Sequence, residues 1–526
     1  MKKPIITLFD TTLRDGEQRE GISLTVKDKL RITELLDNLG VHYIEGGWPG
    51  ANPKAIEYFK AVKKLKLKNS RIAAFGSTRR AGNTVEKDRT IKALLDADTP
   101  VVVIFGKTWD FHVTNALKIS LEENLELIKD SVAYLKANNK EVIFDAEHFF
   151  DGFKANKSYA LKALKIARDA GADILCLCDT NGGSLPSEIG EITKIVIEKL
   201  GEIKIGIHPH NDSGVAVANA IVAIENGACH AQGTLNGYGE RCGNMDLISL
   251  IPILALKMKI KCITDAQIAK LTSISHNVSE IANLSPDSFA PFVGKSAFTH
   301  KAGVHVNAIL KNPETYEHLN PEKVGNKQRV LVSEMSGVSN LVYKAKEYGI
   351  EVENPKSPEM LELVNKLKDL EHYGYQFEEA EASFQVLMRR ALKKTPPIIT
   401  LERFRVLNEQ TAKKNITVEA TIRAIIGKKR VHIAAEGNGP VSAMDHALRK
   451  TMEPIYPEIK EIKLTDYKVR VLNSKEGTES VVRVLIQWSD STEEWSTVGV
   501  SHNIIQASWY ALVDSYEYKL RLKEEE

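Results

Sequence analysis

A chain of 526 residues exceeds one ordinary hydrophobic core, so two or three domains are expected. With 43% hydrophobic residues, 27% charged residues and a net charge of +2, it has the balance of a water-soluble globular protein. That charge gives no reason to expect nucleic acid or a membrane surface as partner, and no apolar run approaches the ~18 residues of a membrane span.

Met1-Lys2-Lys3-Pro4 leads straight into the first expected strand, with no signal-peptide pattern. The five cysteines are odd in number and lack zinc-like CxxC spacing, so reduced thiols in a cytoplasmic protein are expected. Up to about residue 245 a strand-then-helix rhythm repeats. The expected strands are Ile5–Asp10, Val41–Gly46, Arg71–Gly76, Pro100–Gly106, Glu141–Glu147, Asp173–Asp179, Lys204–His210 and Ala228–Leu235. Continuous runs such as Val101-Val102-Val103-Ile104-Phe105 belong to parallel strands buried on both faces. Between them, Thr25, Asn52-Pro53 and Ser184 mark helix starts, and Gly40, Gly171, Gly201 and Gly227 mark stops. The charged run Lys63–Lys68 is a solvated helix end. Eight such units predict a TIM (β/α)8 barrel. A doubly wound open sheet is the alternative, but no GxGxxG follows the first strand and no GxxxxGK[ST] occurs.

In a barrel the carboxyl ends of the strands line one mouth, where ligands bind. Those ends supply Arg14, Asp15, Glu45, Ser77, Lys107, Glu147, Asp179, Thr180, His208, His210, Asn236, Glu240 and Arg241. The first strand runs into Phe9-Asp10-Thr11-Thr12-Leu13-Arg14-Asp15-Gly16-Glu17-Gln18, which sets a cation beside an anion. His208 and His210 are two apart, so both rings face one side. Asp15, His208, His210 and Asn244 form a mixed nitrogen and oxygen set suited to Mn2+, Zn2+ or Mg2+, with Asp212 placed to orient a ligand from outside. Cys176 and Cys178 are expected in the core of the sixth strand.

Three ordered motifs carry a family resemblance over essentially the whole chain. Leu13-Arg14-Asp15-Gly16-Glu17-Gln18, His208-Pro209-His210-Asn211-Asp212 and Gly237-Tyr238-Gly239-Glu240-Arg241-Cys242-Gly243-Asn244 resemble the signatures of the 2-isopropylmalate synthase, homocitrate synthase and citramalate synthase family. The resemblance implies a metal-dependent TIM barrel that condenses acetyl-CoA with a 2-oxo acid. It assigns Asp15, His208, His210 and Asn244 to the metal and Arg14 to the reacting carbonyl oxygens. Glu147 and Thr180 then lie near the bound oxo acid. Glu147 is one candidate for the base that takes a methyl proton. His305 and Tyr316, on a segment after the barrel, are matched to residues that reach the site from the partner subunit of a homodimer.

Glu45-Gly46-Gly47-Trp48-Pro49-Gly50, Phe75-Gly76-Ser77-Thr78-Arg79-Arg80 and Asp145-Ala146-Glu147-His148-Phe149-Phe150-Asp151-Gly152 resemble the citramalate synthase branch, whose oxo acid is pyruvate. Bulky Trp48, Phe149 and Phe150 near the mouth would shrink a pocket toward a methyl group; the alternative is that they simply pack between barrel and helices, as such side chains more often do. The alternatives are a 2-isopropylmalate synthase using 2-oxoisovalerate, a lyase like 3-hydroxy-3-methylglutaryl-CoA lyase with Cys242 reactive, and a non-catalytic amino-acid sensor.

The expected domains are a catalytic barrel over 1–264, helical linker subdomains over 265–394 and a C-terminal α+β domain over 395–526. Pro358–His372 and Glu378–Leu392 are expected helices, and Lys393-Lys394-Thr395-Pro396-Pro397 is the joint, because two prolines cannot continue a helix. Beyond it, strands Phe404–Asn408, Thr417–Ile426 and Arg430–Glu436 precede a helix at Val441–Met452. Strands Lys463–Leu472, Ser480–Trp488 and Glu494–Val500 then precede a helix at Ile504–Leu520. This duplicated pattern resembles the regulatory and dimerisation domain of the synthases, which binds the amino-acid end product, isoleucine in the citramalate branch.

Overall fold

A computed structural model describes residues 5–393, 395–410, 416–472 and 479–523. The chain divides into two compact units, one running to Phe298 with Leu319–Lys327 added, the other comprising Thr299–His318 and the chain from Gln328 onward.

The first unit is built on a closed barrel of eight strands: β1 (Thr7–Asp10), β2 (Tyr43–Gly47), β3 (Arg71–Ser77), β4 (Val101–Lys107), β5 (Glu141–Glu147), β6 (Ile174–Asp179), β7 (Lys204–Pro209) and β8 (His230–Gly233). Neighbours pair in parallel, and β8 returns to β1 with Phe9 opposite Gln232. The expected eight-strand barrel is what forms. Phe9, Phe75, Val103, Ile143, Ile174 and Cys176 fill the interior, while a larger apolar shell, including Leu36, Phe144 and Leu164, packs the strands against the helices.

Local chemistry sets the helix ends. Thr25 caps Val26–Leu39 by a reciprocal pair, Asp28 N to Thr25 Oγ1 at 3.2 Å and Thr25 N to Asp28 Oδ2 at 3.0 Å. Asn52 caps Pro53–Val62, with proline at the first helical position. Gly40, Gly171, Gly201 and Gly227 all lie at positive φ, where the helices stop. Ser184 departs from its expected role: its hydroxyl donates to Asp179 Oδ1 at 3.0 Å, and Pro186–Leu200 starts instead from Leu185. Phe149 and Phe150 are likewise wholly buried in the outer shell rather than at the mouth. His148 at φ 55 turns the chain outward after β5, carrying the helix Phe149–Ala155 away from the barrel axis. Trp48 does cap the interior, edge-on to Phe75 at 5.9 Å and Phe105 at 5.8 Å.

The second unit opens with a short parallel pair, Thr299–His300 with Arg329–Val330, and the helix Gly303–Lys311. Helices Val338–Glu347, Pro358–Tyr373 and Glu381–Leu392 follow. Two antiparallel three-stranded sheets then appear, each followed by a helix. Ile399–Gln410, Ile416–Ile426 and Lys429–Gly437 precede Pro440–Met452; Lys463–Val471, Val482–Ser489 and Glu494–Ser501 precede Ile504–Lys523. Along Ile416–Ile426 every second residue from Val418 to Ile426 is buried, the alternation of a sheet with one covered face.

Candidate active site

The loop after β1 is shaped by its own backbone. Thr11 O accepts from Arg14 N at 3.1 Å and from Gly16 N at 3.0 Å, which turns Arg14 and Asp15 into the mouth. Below them the Asp10 carboxylate holds Thr12 N at 2.9 Å and Thr12 Oγ1 at 2.8 Å, and Thr12 Oγ1 accepts from Leu235 N at 2.8 Å, tying the loop to the eighth strand end. Burial raises the Asp10 carboxyl to about 7. Glu17 is engaged by Lys29 at 2.6 Å and Lys54 at 2.5 Å, so its role in the motif is structural.

Asp15, His208 and His210 converge as expected. One donor atom from each lies within 4.8 Å of the others, and all three are buried. Asp15 Oδ2 is 3.2 Å from His208 Nε2 and 3.8 Å from His210 Nε2, and the two rings stack at 5.3 Å. The loop after β8 zips back along the end of β7 through Asn211 N to Gly243 O and Met245 N to Pro209 O. That pairing sets Asn244 opposite His210, with its Nδ2 2.8 Å from Asp15 Oδ2. Two glycines make the turn possible. Gly239 has φ 156 and a Cβ there would meet Asn244 Oδ1 at 2.2 Å, while Gly243 at φ 89 would meet Gly237 O at 2.1 Å.

This donor set fits a divalent cation. Among the described residues, Asn244 Oδ1 and His210 Nδ1 are buried without a hydrogen-bond partner, while Asn244 Nδ2 faces Asp15 Oδ2 at 2.8 Å and His208 Nε2 at 3.2 Å; two imidazoles, a carboxylate and an amide with an unused oxygen suit a hard or borderline ion. The electrostatics agree. Burial opposes charge on Asp15, yet Arg14 and then His208 outweigh it and hold the carboxyl well below its usual range. Burial, reinforced by the charge of His208, lowers His210 to about 4, leaving its ring a neutral ligand.

Arg14 lies beside this cluster. Its Nε is 2.6 Å from Glu45 Oε2, its Nη1 is 3.4 Å from Asp15 Oδ2, and its guanidinium stands 3.8 Å over the Phe75 ring. Glu147 ends β5 in an ion pair with Lys107. Thr180 Oγ1 accepts from His148 N at 2.9 Å, bracing the fifth and sixth strand ends. Asp212 does not support a histidine: both its oxygens hold Arg241, at 2.7 and 3.0 Å. Asn236 turns away to Ser275 and Ser279. His305 and Tyr316 lie in the second unit, where their rings stack at 4.2 Å and both are exposed.

Two residues that the sequence did not single out for the site, Gln232 and Asp145, adjoin it. Gln232 Oε1 is 2.6 Å from His208 Nδ1, and Gln232 Nε2 donates to Asp145 Oδ1 at 3.0 Å. The available signal was a polar side chain inside an otherwise apolar strand, Ile143-Phe144-Asp145-Ala146 and Ala231-Gln232-Gly233.

Comparison with known proteins agrees with this architecture. The HMGL-like family matches residues 5–278, the homocitrate synthase post-HMGL domain-like family 292–372, and the LeuA allosteric (dimerisation) domain 378–520. An (R)-citramalate synthase of Geobacter sulfurreducens is 56% identical over 522 residues, covering 99% of this chain and 98% of its own length. One from Aquifex aeolicus is 52% identical, with 99% of each chain covered. A 2-isopropylmalate synthase of Methanocaldococcus jannaschii is more distant, 32% identical over 99% of this chain and 95% of its own.

Proposed function

The chain belongs to the family of (R)-citramalate synthases, and from that premise we propose how its residues join acetyl-CoA to pyruvate, giving (R)-citramalate and CoA. The observation that carries the reaction class is the buried set of Asp15, His208, His210 and Asn244 with Arg14 beside it at a barrel mouth. A divalent ion held there, Mn2+, Mg2+ or Zn2+, supplies a Lewis acid toward the ketone oxygen. Arg14, fixed by Glu45 and Phe75, meets the negative charge that develops on the reacting carbonyl oxygens. Thr180 and Glu147 flank the oxo acid, and Trp48 over Phe75 and Phe105 limits room for a longer side chain.

A base must take a methyl proton from acetyl-CoA, and Glu147 is already paired with Lys107. His305, stacked on Tyr316 and exposed, is free for that role, supplied to the mouth by a second copy of the chain. The new carbon–carbon bond leaves an alkoxide that takes up a proton. Water then hydrolyses the thioester, releasing CoA and drawing the condensation forward. In this reading residues 1–264 carry catalysis, 265–394 connect, and 395–526 dimerise and bind isoleucine as feedback effector. The five cysteines are free, which suits the cytoplasm, and no helix among the described residues is long and apolar enough to cross a membrane.

The test is CoA release, followed with a thiol reagent, from acetyl-CoA with pyruvate, 2-oxobutyrate, 2-oxoisovalerate or 2-oxoglutarate. Pyruvate should be preferred, with turnover abolished by chelation and restored by Mn2+ or Mg2+, and inhibited by isoleucine. Preference for 2-oxoisovalerate would make the protein an isopropylmalate synthase. No release with any acid would point to the lyase, and turnover indifferent to chelation would sink the metal assignment.

A further inference from the structure

A polar string threads the barrel interior, where aliphatic side chains ordinarily pack. His230 and Gln232 are two apart on β8, face inward together and are wholly buried. Asp145 reaches them from β5 and Thr7 from β1.

The direction of each hydrogen bond in this string follows from its donors and acceptors. Thr7 Oγ1 donates its single proton to Cys229 O at 3.1 Å. With that proton given to Cys229 O, the Thr7 oxygen, 3.0 Å from His230 Nδ1, suits a ring proton on Nδ1. Burial holds His230 down to about 3, so the ring is neutral and its Nε2 is a bare acceptor. That acceptor lies 3.4 Å from Gln232 Nε2, which also donates to Asp145 Oδ1 at 3.0 Å. Two acceptors thus meet the amide nitrogen of Gln232 and leave its oxygen aimed at His208 Nδ1, 2.6 Å away. A carbonyl oxygen only accepts, so it requires the proton of His208 on Nδ1. Turned the other way, the amide would put that proton on Nε2, facing Asp15 Oδ2 at 3.2 Å, and the histidine would satisfy the carboxylate instead of an ion.

We propose that Asp145, with His230, orients the Gln232 amide, and that Gln232 holds His208 in the tautomer that presents a bare Nε2 to a divalent ion. Asp145 and Gln232 are then positioning residues, acting on the metal through His208. The inference rests on Asp15, His208, His210 and Asn244 being ligands. It explains why a carboxylate and an amide occupy a wholly buried layer that an aliphatic pair would otherwise fill.

Mn2+ affinity of the full chain, titrated after chelation and read as free Mn2+ by electron paramagnetic resonance, tests both levels separately. Wild type that binds no Mn2+ overturns the ligand set itself. Given binding, Asp145→Asn should weaken affinity about tenfold, because either face of the new amide suits Gln232 and only the longer 3.4 Å contact with His230 is left to orient it. The double variant Gln232→Glu with Asp145→Asn should return to within about threefold of wild type, since the carboxylate introduced on β8 can accept from His208 while the amide introduced on β5 donates to that carboxylate. Unchanged affinity in Asp145→Asn, or a double variant no better than the single one, overturns the proposal. If Asp145→Asn does not fold, the 15N spectrum of His208 in chelated wild type decides, recorded at a pH where the ring is neutral. A proton on Nδ1 supports the string and a proton on Nε2 overturns it.

Discussion

Asp15, His208, His210 and Asn244 lie buried together in the barrel, whereas His305 and Tyr316 stand exposed on the second unit with their rings stacked on each other. The first group is held from several directions: by the β1 loop, by the pairing of Asn211 and Pro209 with Gly243 and Met245 of the loop after β8, and by Gln232 from within. The second rests on one short helix, Gly303–Lys311, and on the turn Pro313–Thr315 that precedes Tyr316. A ligand set must be rigid before an ion arrives, because each ligand that has to be ordered subtracts from affinity. A base that meets acetyl-CoA from another subunit must instead be reachable. On this reading one half of the chemistry is preformed and the other is completed by assembly.

Substitutions should separate the halves. Asp15→Asn removes the carboxylate from the donor set, and kcat should fall by at least about 10³-fold with Mn2+ binding lost in the same titration. His305→Ala should lower kcat by about 10²–10⁴-fold, the range of general base catalysis, while leaving Mn2+ affinity unchanged. Tyr316→Phe should cost less, about tenfold, because it removes only the hydroxyl and keeps the stacked ring. If His305→Ala weakens Mn2+ binding as much as Asp15→Asn does, the division into two halves is wrong. Mixing His305→Ala chains with Asp15→Asn chains should restore part of the activity if the base comes from a second copy.

Within the preformed half, smaller effects report on shape and charge. Trp48→Ala opens the aromatic cap over Phe75 and Phe105, and should raise turnover of 2-oxobutyrate relative to pyruvate by about tenfold, in the range expected for one methylene. Comparing kcat/KM for the two acids checks it; an unchanged ratio would place selectivity elsewhere. Asp10 is raised by burial to about 7 from an ordinary 3.8. Between those values the folded state keeps a proton that the unfolded state has released, so this group makes stability fall as pH rises from about 4 to 7. Asn at this position cannot ionise. Asp10→Asn should therefore gain stability relative to wild type across that window, seen as a difference in urea midpoint at pH 5 and pH 8 in chelator; a difference that does not move with pH would refute it.

The barrel was legible because doubly buried strands leave continuous apolar runs and because glycines close the helices at regular intervals. The convergence of the two histidines was legible for a different reason: His208 and His210 share a face by strand geometry alone. What the sequence hid was contact across the barrel. Asp145 and Gln232 are 87 residues apart, and only the barrel brings them within 3.0 Å. Local competition hid the rest. Asp212 looked like a support for the histidines, but Arg241 takes both its oxygens, and Ser184 looked like a cap until Asp179 claimed its hydroxyl. Phe149 and Phe150 left the mouth because one residue, His148, adopts a left-handed conformation that no composition rule foresees. In the second unit the duplicated strand pattern was plain because each sheet has one covered face and so alternates.

Cys242 sharpens the comparison from the other side, since it is exposed in the mouth loop, as His305 is on its helix, yet has a reactive side chain of its own. Its backbone is fixed by neighbours rather than by sulfur: Arg241 grips Asp212, and Gly243 N donates to Glu240 O at 2.9 Å. Cys242→Ala should therefore leave the loop, Asn244 and the ion in place, and change kcat by less than about twofold, as surface substitutions away from special features do. The assay is CoA release with pyruvate, run beside Mn2+ titration of the same variant. If kcat instead falls by about 10²–10⁴-fold with Mn2+ affinity intact, the thiol is moving a proton. The mouth would then hold its own acid–base group, His305 would lose its claim as base, and the chemistry would be that of a lyase on the same barrel.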